Sequence, residues 1–325
     1  MKKLISLILV LFTAFTLFAC SGKENQTGGK KLRIVVTLQS QQINFWSNVQ
    51  HTMERLAKEE NFDLTIMDIN SDVSTFANII DDIVALNPDG VITCGLESST
   101  LTNHVKTLQA AGIPVVTFNI SPDEDICPMV VADQVEFGRV AGVAAAQTWQ
   151  KTHPDVAPVG GAIDLYSAPV CALRVQGFVE GFRSIYPEFA LAQTVDGGGS
   201  RATSLSAAED MLEANKEINV IFGINADSAL GGLDALREIN RGTIADAIVA
   251  SVDGTEADCA ELKDPDSALK AVAGNSPRIM SEMAWDLLKQ VINGTLPATK
   301  GYQATLEVVA VTAETAEEWA TTNFE

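Results

Sequence analysis

Polar and aromatic side chains recur directly after short apolar runs in this chain of 325 residues. The nine that we single out as candidate ligand-binding residues are Phe45, Trp46, Cys94, Asn119, Asp133, Arg174, Asn225, Asp253 and Asn275. Amide, carboxylate and guanidinium groups form directional hydrogen bonds, and aromatic rings cover the apolar faces of ligands. These side-chain types therefore predict a site that holds a small polar molecule.

The motifs that would indicate catalysis are missing from the sequence. It contains no GxxxxGK[ST] phosphate loop, no GxSxG nucleophile elbow and no GxGxxG. The run 197–200 (GGGS) is not followed by a lysine and is typical of a flexible turn. A glycosidase would need two carboxylates flanking one bond, and no recognised acid–base pattern places Asp133, Asp227 or Asp253 in that way. We therefore predict that the protein is not an enzyme.

Metal sites and cofactors are not expected either. The three histidines, His51, His104 and His153, are scattered without HExxH or any other ligand spacing. No CxxC pair occurs among the cysteines that follow Cys20, which are Cys94, Cys127, Cys171 and Cys259. Their spacing leaves open whether they are free or form one or two disulfides.

The N-terminus reads as an export signal. Lys2 and Lys3 precede an uncharged apolar run that ends at Ala19, which is typical of a secretory signal peptide over residues 1–19. Cys20 follows small residues and resembles the lipidated cysteine of a bacterial lipobox, although an ordinary signal with an incidental cysteine would look similar. Residues 20–30 are polar and contain glycine, which predicts a flexible tether. We expect an exported protein, lipid-anchored to the cell membrane and facing the periplasm or the cell exterior.

The charge balance limits the partners. The chain carries a net charge of −20 at pH 7. Nucleic acid binding needs a basic surface, and an anionic membrane would repel this protein. Contact with a membrane is therefore expected only through the lipid anchor.

After residue 31, apolar runs of strand length alternate with amphipathic helical patterns. Strands are predicted at 32–38, 63–69, 90–93, 113–118, 160–166, 190–195, 220–223, 248–252 and 269–273, with an extended stretch at 306–311. This alternation predicts α/β structure with parallel sheets, and there are too many strands for one comfortable sheet. In such sheets ligands bind at the carboxyl ends of the strands, where the candidate residues lie.

Seven ordered segments resemble the ribose- and galactose-type periplasmic binding proteins of ABC importers. They are 44–46 (NFW), 87–92 (NPDGVI), 112–116 (GIPVV), 132–133 (AD), 174–178 (RVQGF), 225–231 (NADSALG) and 252–255 (VDGT). The resemblance covers nearly all of 31–325. It implies two doubly wound, Rossmann-like lobes joined by three hinge crossovers, with the ligand in the cleft between them. The implied N-terminal lobe is 31–132 plus 276–303 and the C-terminal lobe is 133–275 plus 304–325, with crossovers near Asp133, Asn275 and Gly301.

The resemblance also assigns roles to the candidate residues. Arg174 matches the sugar-gripping arginine of the family, and Asn225 is expected both to bind the ligand and to cap a helix. Asp253 is expected to accept hydrogen bonds from two hydroxyls or to pair with Arg174. Trp46 lies off the apolar stripe of its helix and is a better candidate than Phe45 for stacking on a sugar face. Asn275 matches a hinge-side amide ligand, whereas Asp133 serves either the ligand or only the crossover.

Several positions depart from the ribose-type pattern. Where those relatives carry Asp-Arg, this chain has Asn119-Ile120. Cys94 stands where a polar side chain is common, and Gly199 stands where some relatives place a second aromatic. These differences predict a roomier and less charged pocket that takes a deoxysugar, a polyol or a larger glycoside.

The resemblance leaves more than one function open. The leading expectation is a monomeric binding protein that delivers a monosaccharide or related compound to the membrane permease of an ABC importer. A sensory protein that presents its ligand to a chemoreceptor or histidine kinase would have the same fold and pocket. A nucleoside-like or furanone ligand is a further alternative within the same family.

Overall fold

The computed structural model describes residues 30–324. The predicted signal peptide, the lipidation site Cys20 and all but the last residue of the predicted tether lie outside the described residues. The described part contains the strands β1 (Arg33–Leu38), β2 (Asp63–Asp68), β3 (Gly90–Thr93), β4 (Val115–Asn119), β5 (Pro128–Ala132), β6 (Gly160–Asp164), β7 (Leu191–Asp196), β8 (Val220–Gly223), β9 (Ile248–Asp253), β10 (Leu269–Gly274), β11 (Tyr302–Leu306) and β12 (Val309–Val311).

The helices alternate with these strands. They are α1 (Asn44–Glu59), α2 (Val73–Leu86), α3 (Ser98–Ala110), α4 (Gln134–Thr152), α5 (Ala172–Arg183), α6 (Arg201–Ala214), α7 (Ala226–Glu238), α8 (Glu256–Lys263), α9 (Pro277–Ile292) and α10 (Ala316–Phe324), with a short 3-10 turn at Pro169–Cys171 before α5.

The strands form two six-stranded sheets of equivalent topology. The first has the order β11-β5-β4-β3-β1-β2 and the second β12-β10-β9-β8-β6-β7. All pairs are parallel except β10 with β12. Each sheet contains the 2-1-3-4-5 order of doubly wound folds. The predicted fold class of two α/β lobes is therefore confirmed; we call them the N-lobe and the C-lobe.

The chain passes between the sheets three times, between β5 and β6, between β10 and β11, and between β11 and β12. The third passage differs from the prediction. Strand β11 pairs with β5 along its whole length, from Tyr302 opposite Pro128 to Leu306 opposite Ala132. The chain therefore crosses at residues 307–308 instead of near Gly301, because residues 302–306 extend the first sheet before β12 joins the second.

Helices α4 and α5 cross at backbone distance in the C-lobe. A Cβ atom added to Gly138 would lie 1.9 Å from the Arg174 carbonyl oxygen, and one added to Gly177 would lie 1.9 Å from that of Val135. Only glycine permits such an approach, since real Cβ contacts are never this short. Helix α4 begins at the first crossing and α5 carries Arg174, so this contact fixes the arginine relative to that crossing.

Candidate functional site

A cavity lies where the carboxyl ends of the two sheets face each other. Its volume is about 40 Å³, so the lobes leave much less room between them than the roughly 300–1,000 Å³ of a typical small-molecule site. Both lobes and two of the crossings contribute to its walls, which consist of Gln39, Ile43, Phe45, Trp46, Asn119, Ile120, Gln134, Leu165, Ala168, Val170, Cys171, Arg174, Ile224, Asn225, Asp253 and Asn275. Seven of the nine predicted residues are among them, and their contact with a ligand stays a prediction.

Asp253 ends β9 and lines the cavity, with its side chain almost fully buried. Its Oδ1 accepts a hydrogen bond from Asn275 Nδ2 at 3.1 Å, and its Oδ2 accepts one from the Ala226 amide at 3.3 Å. Arg174 Nη1 is 3.9 Å from Oδ1. Burial raises the pKa of Asp253, and the nearby Arg174 charge partly offsets that effect. Each carboxylate oxygen retains capacity for a further donor.

Arg174 is held in place by the protein itself. Its Nε donates to Gln134 Oε1 at 2.7 Å, and its Nη1 donates to the Ile224 carbonyl at 2.6 Å. The guanidinium also lies over the Phe137 ring, 5.2 Å from the centroid. A fixed guanidinium loses little conformational entropy when a ligand binds, which favours affinity.

Asn225 has the capping role that the sequence predicts. Its Oδ1 accepts a hydrogen bond from the Ser228 amide at 2.8 Å and caps α7, which begins one residue later. Its Nδ2 donates to the Gly199 carbonyl at 3.0 Å. The side chain lines the cavity as well, so the expected double role is compatible with its position.

Two amide oxygens in the cavity have no partner. The Oδ1 atoms of Asn119 and Asn275 are both buried without a hydrogen bond from the protein. Asn119 ends the N-lobe strand β4 with a left-handed backbone (φ 66°), and Asn275 lies at the second crossing. Buried acceptors without donors are rare and costly, so each of these two oxygens can accept a hydrogen bond from a donor that enters the cavity.

An aromatic wall covers the N-lobe side of the cavity. The Trp46 ring meets Phe45 edge-on at 5.2 Å and Phe118 at 5.6 Å between centroids. Trp46 is only 3% exposed, so it is part of the core as well as a cavity residue. Phe45 is 5% exposed, so both rings belong to the core, and the expectation that Trp46 is the better of the two for stacking on a sugar face stays a prediction.

Two predicted residues do not line the cavity. Asp133 is exposed and accepts a hydrogen bond from the Glu136 amide at 3.0 Å as the cap of α4, while its neighbour Gln134 faces the cavity. The Cys94 thiol lies behind Gln39, whose Nε2 is 3.4 Å from the sulfur. Burial raises the pKa of Cys94 to about 12, so this thiol is unreactive.

The other thiols are equally buried. All four cysteines of the described residues are free, which answers the question that their spacing left open. Burial raises the pKa of Cys171, which lines the cavity, to about 11.

The lobes also contact each other beside the cavity. Ile43 precedes α1 without capping it, and the Asn44 amide at the start of that helix donates to Asp227 Oδ2 of the C-lobe at 3.3 Å. A C-lobe carboxylate therefore satisfies one of the free amides of an N-lobe helix.

Within residues 30–324 no helix has the length and apolar character needed to cross a membrane. The same residues contain no group of three or more histidine, cysteine, aspartate or glutamate side chains that could hold a metal ion.

The sequence matches proteins of known role. The profile of a family described as "Periplasmic binding protein domain" matches residues 34–296. The ribose import binding protein RbsB of Bacillus subtilis is 26% identical over 304 residues, which cover 90% of this chain and 94% of that protein. The ABC transporter periplasmic-binding protein YphF of Escherichia coli is 25% identical over 327 residues, which cover 98% of this chain and 96% of that protein. A solved galactofuranose-binding protein superposes with a TM-score of 0.80 at 17% identity, over 90% of this chain and 98% of that one.

Proposed function

Because this chain belongs to the periplasmic binding protein family, we propose that it captures a sugar or sugar-like molecule in the interlobe cavity and delivers it, unaltered, to the permease of an ABC importer. The resemblance expected from the sequence is confirmed for family and fold. Relatives named for ribose import and for ABC transport support the transport role. We propose that the protein acts as a monomer outside the cytoplasm.

The two unpartnered amide oxygens carry the proposal. A polyhydroxylated ligand supplies donors for Asn119 Oδ1 and Asn275 Oδ1, which the protein leaves without any. The same ligand can donate to Asp253 and accept from Arg174, and its C–H faces can pack on Trp46.

Part of the remaining wall is apolar, which narrows the ligand class. Ile43, Ile120, Leu165, Val170 and Ile224 all line the cavity. A hydroxyl turned toward these side chains would lose its hydrogen bonds to water, at a cost of about 1–3 kcal/mol. We therefore propose a ligand with one apolar edge, meaning a side of the molecule without hydroxyl groups, such as a deoxysugar, a polyol or a larger glycoside.

A thermal-shift screen tests the binding function. The protein, unfolded and refolded to remove bound compounds, is heated with pentoses, hexoses, deoxysugars, polyols, glycosides, nucleosides and furanones. A ligand at 100 times its dissociation constant stabilises the protein by about 2.7 kcal/mol. We expect a sugar or polyol with an apolar edge to give the largest shift.

The screen has two contradicting outcomes. Stabilisation by nucleosides or furanones alone would replace the sugar ligand by another class. Tight binding of ribose and of nothing else, measured by calorimetry, would contradict the proposed apolar edge.

We also propose that Cys20 is lipidated and is the only membrane attachment. The basic start, the apolar run and the small residues before Cys20 support this. In a detergent phase-partition assay, the full-length protein from a bacterial host should enter the detergent phase and a Cys20→Ser variant should stay in the aqueous phase. Equal partitioning of both forms would contradict lipidation at Cys20.

A further inference from the structure

The C-terminal helix α10 packs directly behind two cavity residues. The Trp319 indole nitrogen Nε1 donates a hydrogen bond to the Gly254 carbonyl oxygen at 2.9 Å. Gly254 follows Asp253, so this hydrogen bond holds the peptide group next to the buried carboxylate. No sequence motif marked Trp319, because it lies about 65 residues further along the chain.

The Trp319 ring also occupies the space beside two glycines. A Cβ atom on Gly254 would lie 2.6 Å from the indole nitrogen, and one on Gly274 would lie 2.5 Å from ring carbons. Gly274 immediately precedes Asn275. One side chain therefore packs against the backbone adjoining both Asp253 and Asn275.

The backbone that Trp319 contacts has an unusual conformation. Asp253 has φ 101° and Gly254 has φ 75°, a conformation that side chains other than glycine rarely adopt. Such conformations persist only where the surrounding structure over-determines them. The Trp319 hydrogen bond and ring contact supply that constraint at this point.

Helix α10 has a second attachment on the far side of Asn275. The Ser276 hydroxyl donates to Asn323 Oδ1 at 2.5 Å and accepts from the Ile279 amide at 3.0 Å, which caps α9. Ser276 and Asn323 are both buried. Asn275 is thus braced from α10 at the residue before it and at the residue after it.

We propose that Trp319 is a positioning residue for ligand binding. By packing against the backbone next to Asp253 and Asn275, it holds the Asp253 carboxylate and the Asn275 side-chain amide in their binding geometry. This inference rests on the proposed binding function of the cavity. Trp319 is not among the residues that line the cavity, so it acts through the backbone of its neighbours.

The test compares Trp319→Phe with a matched control, Trp149→Phe. The Trp149 indole also donates to a backbone carbonyl, that of Val156, at 3.0 Å, and Trp149 does not line the cavity. Both variants lose one indole N–H and ring volume. With the compound that gives the largest thermal shift, Trp319→Phe should bind about tenfold more weakly, and Trp149→Phe should bind as the parent does.

A second measurement needs no ligand. The Asn275 backbone N–H donates a hydrogen bond to the Asp253 backbone carbonyl oxygen at 3.0 Å. The hydrogen-exchange rate of this N–H reports how firmly the two residues are held. This N–H should exchange at least tenfold faster in Trp319→Phe and at the parental rate in Trp149→Phe. Gly274→Ala should weaken ligand binding, because the added methyl group displaces the Trp319 ring. In a Trp319→Leu background, where no ring remains to be displaced, the same substitution should weaken binding little further.

The outcomes separate the two proposals. If the screen yields no ligand, the proposed function fails and the exchange rate still decides the positioning role. Parental affinity and parental exchange in Trp319→Phe would overturn that role.

Discussion

Gly177→Ala should destabilise the protein by about 3 kcal/mol and lower its Tm by about 6–12 °C. The added methyl group would lie 1.9 Å from the Val135 carbonyl oxygen, which is backbone and cannot rotate away. Helices α4 and α5 must then separate, and α5 carries Arg174. We therefore expect ligand affinity to fall together with the Tm measured by calorimetry.

Gly112→Ala is the control for this substitution. Gly112 has φ 77° and no atom within 4 Å of the added methyl group. Alanine there has only the backbone cost of a left-handed conformation, about 1–2 kcal/mol, and should leave ligand affinity unchanged. If Gly177→Ala were no more destabilising than Gly112→Ala, that result would contradict the close approach of helices α4 and α5.

Asp253→Asn should weaken ligand binding about 100-fold or more in a calorimetric titration. Asparagine tolerates positive φ better than most residues, so the backbone at φ 101° can persist. The substitution removes the anion 3.9 Å from Arg174 and turns one acceptor into a donor. Removing one partner of a buried charge pair costs about 3–5 kcal/mol, part of which affects the free protein as well.

The effect of pH on affinity has a defined sign. Ligand hydroxyls donate to the ionised carboxylate, so affinity should fall as pH falls through the pKa of Asp253. Because burial raises this pKa, the fall should begin at a higher pH than for an ordinary aspartate. The contribution of Asp253 to this pH dependence should be absent in the Asp253→Asn variant.

Asp196→Asn is the matched control. Asp196 ends β7, the edge strand of the same sheet. It accepts hydrogen bonds from the Tyr166 and Gly198 amides and is exposed outside the cavity. It should bind ligand as the parent does. If Asp253→Asn bound ligand with parental affinity, the Asp253 carboxylate would not be part of the proposed site.

Much of the fold could be predicted from the sequence, because continuous apolar strands and amphipathic helices have distinct periodicities. The sequence patterns do not predict strands β5 and β11 or helices α8 and α10; the predicted extended stretch at 306–311 overlaps β11 at Leu306 only. Strand β5 has five residues and no separating helix before it, so it did not stand out from the connection to α4. Helix α10 depends on tertiary contacts with Gly254 and Gly274 that no local pattern reveals.

The candidate site was predicted less completely. The rule that ligands bind after parallel strands predicts Asn119 and Asp253, which line the cavity. Gln39, which also lines it, directly follows the predicted strand 32–38 but is not among the nine candidates. The rule could not tell Asp133 from Gln134, since the direction of each side chain depends on how the chain enters α4. Cys94 follows β3 as expected, but its thiol lies beside Gln39 and is not among the groups that line the cavity.

A crystal structure of the protein with the most stabilising compound from the screen tests the central claim most directly. We predict one molecule in the interlobe cavity, chemically intact, with hydroxyl groups within hydrogen-bond distance of Asn119 Oδ1 and Asn275 Oδ1. A compound bound elsewhere, or bound in the cavity with both of these oxygens still unpartnered, would contradict the account.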